Sequence, residues 1–244
     1  MLQNERIDQL YSQNIKIIQS PDVFSFSLDA VLLADFANVV KSARGKIVDL
    51  CAGNGAVGLF ISTKTQAHID MIELQPRLAD MARRSVALNH LTNQIAVHTL
   101  DLADTFNVIP KDSIDSITCN PPYFTDLDTS KKNPNPYLAI ARHEIKTNFA
   151  TVARIASGLL KYNGKLFLVH RPERLSELLA TLTHYHLTPK VMRFIFPRVN
   201  KEANMVLIEA IKAGKPGGLR VLPDLVVYEG NHYTKEVQAL LGQG

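Results

Sequence analysis

From residue 46 onward, short runs of β-branched and aliphatic residues alternate with stretches whose apolar positions recur every three or four residues. The short runs read as buried strands and the recurring spacing as amphipathic helices, so the alternation predicts a parallel sheet flanked by helices. Strands are expected at 46–50, 69–73, 95–99, 114–119 and 165–170. A terminal antiparallel hairpin is expected from 190–196 and 204–211. Helical spacing is clearest over 76–89, where Leu78, Met81, Ala82, Ser85 and Leu88 share a face and Pro76 suits a first turn. A second helix is expected over 147–162, stopped by Asn163-Gly164.

Residues 1–45 read as an N-terminal extension packing on a main domain of residues 46–244. Within it, 15–18 and 23–26 flank Ser20-Pro21-Asp22 in the manner of a hairpin turn, and 29–40 is a strongly apolar helix with Ser27 placed to cap it. One long stretch, 125–142, has no periodicity and carries Lys131, Lys132, Pro134 and Pro136. A structureless loop of that length inside a compact domain is usually functional or disordered.

Composition narrows the class. Apolar residues make up 46% and charged residues 20%, which is ordinary for a soluble globular chain and excludes a disordered one. No run approaches the roughly 18 apolar residues of a membrane span, and the first residues lack a basic stretch followed by an apolar one. Cys51 and Cys119 form no spaced framework and the eight histidines show no metal spacing, so no metal and a cytoplasmic, reducing location are expected. The net charge of +4 permits a polyanionic partner without demanding one.

Four local patterns carry chemistry. In Val48-Asp49-Leu50-Cys51-Ala52-Gly53-Asn54-Gly55, at a strand end, Gly53 and Gly55 remove side chains where backbone must pass close to a ligand. The three spaced glycines of a dinucleotide site are missing, and Asp49 would repel a phosphate. The motif therefore suits a cationic ligand such as S-adenosylmethionine, or else is a tight strand-to-helix turn with no ligand. Glu73 closes the next strand, where a carboxylate can accept both ribose hydroxyls of a nucleoside. Asp101-Leu102 follows the third strand, where Asp101 is either a contact to an adenine amino group or a turn cap.

The sharpest pattern is Asn120-Pro121-Pro122-Tyr123, directly after the fourth strand. Two prolines cannot continue a central strand and make a stiff turn. That turn can aim the Asn120 side-chain oxygen and the Pro121 carbonyl at one point, two acceptors for one NH₂ group. Accepting both N–H bonds of a conjugated amine draws its nitrogen toward tetrahedral geometry and frees the lone pair for attack on a sulfonium methyl. Tyr123 offers a ring on which a flat base can stack.

On these residues the chain resembles the class I, Rossmann-like methyltransferases with an Asn/Asp-Pro-Pro-Tyr/Phe site. More closely, it is similar to the small bacterial enzymes that methylate N6 of the adenine beside the anticodon of a valine tRNA. The likeness includes Phe24-Ser25-Phe26-Ser27-Leu28-Asp29, Asp49–Gly55, Glu73, Asp101, Asn120–Tyr123, Tyr228-Glu229-Gly230 and Tyr233-Thr234. It implies an α/β fold with a seven-stranded sheet in the order 3-2-1-4-5-7-6, helices on both faces, and the last-but-one strand antiparallel. It also implies S-adenosyl-L-methionine held by Phe26, Asp49, Ala52, Gly53, Gly55, Glu73, Asp101, Leu102 and Asn120, with the target amine at Asn120, Pro121, Pro122 and Tyr123.

That topology would place Lys131, Lys132, Arg142, Arg171, Arg174, Arg198 and Lys201 on the rim formed by the strands' carboxyl ends. There they would serve as a collar for an RNA backbone, or simply be ordinary surface cations. The expected partner is tRNA, bound by a monomer or weak homodimer. Two other readings stay open: methylation of a protein glutamine amide, and an idle module that binds cofactor or RNA. The first is disfavoured because release-factor methyltransferases carry a larger helical N-terminal domain than the residues preceding position 46. The second is disfavoured by the intact four-residue motif.

Overall fold

The computed structural model describes residues 2, 4–10, 14–23, 28–123 and 148–242. The chain runs β1 (Arg6–Leu10), β2 (Ile15–Gln19), α1 (Leu28–Phe36), β3 (Lys46–Leu50), α2 (Ala56–Ser62), β4 (His68–Glu73), α3 (Pro76–Leu88), β5 (Ile95–Thr99) and β6 (Ile114–Cys119). It continues with α4 (Phe149–Leu159), β7 (Leu160–His170), α5 (Leu175–His184), β8 (Leu187–Arg198), β9 (Met205–Lys212), β10 (Arg220–Val221), β11 (Leu225–Glu229), β12 (His232–Tyr233) and α6 (Lys235–Leu241).

The main sheet contains β5-β4-β3-β6-β7-β9-β8 in that spatial order, the expected 3-2-1-4-5-7-6 arrangement, and β9 runs antiparallel to both neighbours. It does not stop at seven strands. β10 and β11 pair in parallel with β8, and β12 pairs antiparallel with β11, giving a sheet of ten. β10 and β12 are only two residues each, whereas β11 is an apolar run whose Leu225 and Val227 are buried; all three extend the sheet from the free edge of β8.

Side chains alternate between the two faces, as a strand's period of two requires. Ile47, Ile69, Met71, Phe167 and Val169 join a core with α1 and α2, whereas Val48, Leu50, Ile72, Leu166 and Leu168 join a second core with α4 and α5. Both faces are apolar, so the central strands read as nearly continuous hydrophobic runs.

The N-terminal segment differs from expectation. β2 pairs with β1; Val23 forms no strand, and 24–27 lie outside the described residues. β1 escapes notice because Arg6, Asp8 and Gln9 dilute its apolar signal. The hairpin is fastened to α3: Ser85 Oγ accepts from the Ile18 N–H at 2.9 Å, and Asn89 exchanges hydrogen bonds with both backbone groups of Lys16. Arg84 grips Glu5 through two bonds of 2.7 Å, which holds the Glu5 carboxyl down at about 2.

Two helix ends also shift. α1 stops at Phe36 rather than reaching Val40. α4 stops at Leu159, where the backbone of Leu160 turns extended, so Asn163-Gly164 lies within the irregular early part of β7. Asn163 takes a positive φ of 61° there, turning the strand rather than closing the helix.

Candidate active site

Parallel register brings the motifs to one level. Leu50 of β3 lies opposite Ile72 of β4 and Cys119 of β6, so the glycine loop, Glu73 and Asn120 all leave the sheet side by side at its carboxyl rim. Open α/β sheets bind ligands at this rim. The turn begins at once: Cys51 has φ 57°, uncommon for a residue with a side chain, and the Ala52 N–H donates to the Ile72 carbonyl.

Gly53 and Gly55 differ in what their missing side chains leave room for. Gly53 has φ +58°, and a Cβ built there meets nothing within 4 Å, which leaves an open approach to the backbone. Gly55 has φ +86°, and a Cβ would press on Ala82 at 3.1 Å and the Met71 sulfur at 3.2 Å. The first glycine faces open space; the second lets α2 pack closely. Asn54 is buried and donates to the Ile18 carbonyl, tying the loop to β2.

Asp49 holds its carboxylate inside the protein. It is 1% exposed, and its oxygens accept from the Gly58 N–H at 3.0 Å and the Thr118 hydroxyl at 2.7 Å. Its odd position in β3 turns it toward α2 and beneath the loop, so it braces the loop from inside. Burial, reinforced by the negative charge of Glu73, pushes its carboxyl up to about 7. Glu73 is also buried; it accepts from the Gly53 and Gln75 N–H groups, both at 2.8 Å, and burial raises its carboxyl too. Asp101 accepts from the Ala103 N–H at 2.9 Å and so caps a short 3₁₀ turn, Leu102–Asn107, with Leu102 buried behind it.

At the end of β6, Pro121 is buried while Asn120, Pro122 and Tyr123 are half-buried. The Tyr123 hydroxyl lies 2.6 Å from Asn120 Oδ1 and 2.5 Å from Asp29 Oδ2. Burial and the Asp29 charge push the phenol well above its ordinary value. Its ring lies 5.3 Å from that of His170 and 5.5 Å from the Arg171 guanidinium.

His170 closes β7 with no exposed surface; its Nδ1 accepts from the Arg171 N–H at 2.8 Å, which leaves the ring proton on Nε2 without a partner among the described residues. Burial, then the Arg174 charge, lowers its imidazole to about 4, so the ring is neutral.

A family model, the methyltransferase small domain, matches residues 14–187. The chain belongs to the methyltransferase small-domain family. A tRNA1(Val) (adenine(37)-N6)-methyltransferase of Phocaeicola vulgatus is 31% identical over 213 residues, covering 87% of this chain and 86% of that protein. Its namesake in Parabacteroides distasonis is 26% identical over 216 residues, with coverage of 87% and 86%. A crystal structure of a predicted O-methyltransferase from Agrobacterium tumefaciens is similar at a TM-score of 0.69 and 25% identity, covering 88% of this chain and 96% of that one.

The methyltransferase uses S-adenosyl-L-methionine, and its residues fit that molecule. The open approach over Gly53, the buried Gln75 Oε1, without a partner among the described residues, and the buried Glu73 carboxylate suit a ligand that brings hydroxyls.

Asp29 and His170 are residues that the sequence pattern did not assign to this methyltransferase's site. Asp29 lies in the noted Phe24–Asp29 stretch, but only the packing of α1 brings it to Tyr123.

The cationic collar is only partly as expected. β8 runs parallel to β7 across β9, so Arg198 and Arg171 do share the rim. Arg171, however, turns inward: it stacks on Tyr123 and donates to the Asn204 carbonyl at 2.8 Å. Arg174 is paired with Glu177 through two bonds. Arg198 donates to the Gly230 carbonyl and lies over the Tyr228 ring, while Lys201 is exposed. Phe26, Ser27, Lys131, Lys132 and Arg142 lie outside the described residues.

Proposed function

We propose that this methyltransferase transfers a methyl group to N6 of adenine in tRNA, at the anticodon-loop adenine of a valine tRNA, in the cytoplasm. The observation that carries this reading is the placement of Asn120-Pro121-Pro122-Tyr123 at the end of β6, one strand away from the glycine loop of β3. The names of the two relatives support the same substrate.

S-adenosyl-L-methionine, when bound, supplies an electrophilic methyl group on a sulfonium. Ala52, Gly53 and Gly55 would cradle it with backbone, Glu73 would accept its ribose hydroxyls, and Asp101 with Leu102 would hold its adenine. Phe26 would complete the pocket. Asp49 acts one layer below, keeping the loop in shape through Gly58.

Asn120 and the Pro121 carbonyl accept the two N–H bonds of the target amine, and Pro122 keeps the turn stiff. The Tyr123 face carries the base, a contact worth about 1–3 kcal/mol. No general base is needed before transfer, because the nitrogen becomes strongly acidic only once it is alkylated. An anticodon loop already presents unstacked bases, so little energy goes into extracting the target. Arg198 and Lys201, with Arg171 nearer the base and Lys131, Lys132 and Arg142 from residues 124–147, would contact the RNA backbone.

Incubation with labelled S-adenosyl-L-methionine and unmodified total tRNA, followed by nucleoside mass spectrometry, tests the reading. N6-methyladenosine in a valine tRNA is the expected product. Label in protein glutamine, or none in tRNA, would refute it.

A further inference from the structure

Three oxygens stand in a row beside the reacting amine: Asp29 Oδ2, the Tyr123 hydroxyl and Asn120 Oδ1, separated by 2.5 and 2.6 Å. Contacts this short between oxygens each need a proton between them. A phenol has one proton and cannot fill both gaps.

Asp29 lies in the first turn of α1, where free N–H groups favour negative charge, and its other oxygen accepts from the Ala30 N–H at 3.1 Å. The Asp29 carboxylate accepts the hydrogen bond of the phenol proton. Burial and the Asp29 charge keep that proton on the phenol, which agrees with this direction of donation. The second gap is then filled only if Asn120 supplies a hydrogen, which a half-turn of its amide does by bringing Nδ2 to the hydroxyl. The amide oxygen moves to the prong that Tyr123 does not touch.

We infer that Asp29 fixes the orientation of the Asn120 amide through the Tyr123 hydroxyl, so that the amide oxygen is presented to the substrate amine. Asp29 is a positioning residue: it reaches the reaction through Tyr123 and Asn120. The inference rests on the proposed role of Asn120 as an acceptor for that amine. Without the relay, the amide would be free to present its NH₂, a donor facing donors.

The test is the side-chain amide resonance of Asn120 in the ligand-free protein, identified by its loss in Asn120→Asp. Tyr123→Phe removes the hydroxyl and should shift the resonance. Asp29→Asn keeps the side chain's shape but weakens the acceptor, and should shift it in the same sense by less. The double variant should match Tyr123→Phe alone, since Asp29 acts through the hydroxyl. An Asn120 resonance unmoved by Asp29→Asn overturns the inference, as does an Asp29→Asn shift that survives in the Tyr123→Phe background.

Turnover on tRNA gives the second arm. Tyr123→Phe and the double variant should lose kcat alike, by about ten- to a hundredfold, with the Kd for S-adenosyl-L-methionine unchanged. Losses that multiply in the double variant overturn the relay. The resonance needs no substrate, so a wild-type protein inactive on tRNA would refute the proposed function and leave the resonance arm decisive.

Discussion

The two halves of the rim handle their polar groups differently. Under the glycine loop, each buried carboxylate is bonded inside the protein: Asp49 to Gly58 and Thr118, Glu73 to Gly53 and Gln75. Beside Tyr123 the Asp29 carboxylate is bonded too, but other buried polar atoms are not. Of the four buried side-chain atoms without a partner among the described residues, His170 Nε2, Arg171 Nε and Asn204 Oδ1 cluster there, and only Gln75 Oε1 lies on the cofactor side. Buried polar atoms are normally paired, so an unpaired group marks a place where a partner is still to arrive. On the proposed function, the glycine-loop half would hold its shape alone, whereas the half beside Tyr123 would be completed by what it binds.

The strongest way to break this contrast is Asn120→Ala. It should lower turnover about a thousandfold, the scale of losing a well-aimed polar group at a reacting centre, and leave cofactor affinity within about twofold. Calorimetry with S-adenosyl-L-methionine alongside single-turnover rates would check it; a parallel loss of affinity would merge the two halves.

Next in size is a pair on the cofactor side. Gly55→Ala should cost about 2–3 kcal/mol of stability, because it combines a positive φ with pressure on Ala82 and Met71. Gly53→Ala should cost about 1 kcal/mol, from its positive φ alone, yet weaken cofactor binding more. Denaturant midpoints and binding isotherms separate the two; equal effects on both would contradict a loop with one packed glycine and one open one.

The acid–base pattern sharpens the comparison further. Asp49 keeps its proton in the fold up to about 7 but releases it near 3.8 when unfolded, so it takes stability away as pH rises through that range. His170 refuses a proton in the fold down to about 4 but accepts one near 6.5 when unfolded, so it takes stability away as pH falls. Between about pH 4 and 6.5 the two slopes oppose each other, each about 1.4 kcal/mol per pH unit. Asp49→Asn and His170→Asn should therefore tilt the stability–pH line in opposite directions relative to wild type. Tilts of the same sign would show that one of these groups is not buried as described.

The smallest effect belongs to the outer rim. Reversing Arg198 and Lys201 to Glu should weaken tRNA binding and flatten its dependence on salt, with cofactor affinity untouched. Unchanged tRNA binding across a salt series would remove these two from the RNA contact.

Much of this was legible in the sequence where the signal is local. β3, β5 and β6 begin and end where short β-branched runs do, since a buried parallel strand needs little beyond apolar residues and a break. The glycine loop and the Asn120 turn were legible because backbone geometry restricts which residues can stand there. β1, β10 and β12 were not, because a polar or two-residue strand at an edge is specified by its neighbour, and the apolar run of β11 was not read as a strand. Asp29 and His170 were missed for a related reason. One sits in an apolar helix and the other ends a strand, and only tertiary packing sets them on either side of Tyr123.

The bond from Asn54 to the Ile18 carbonyl makes the opening hairpin a strut for the ligand loop, not an ornament on the sheet. A shortened protein starting at α1 would keep the helix that covers this face of the sheet and all the strands of the central seven, and still lose the prop under Gly53 and Gly55. Its failure would be felt first as slack cofactor capture rather than as collapse, with catalysis weakened from a part of the chain that never touches the substrate.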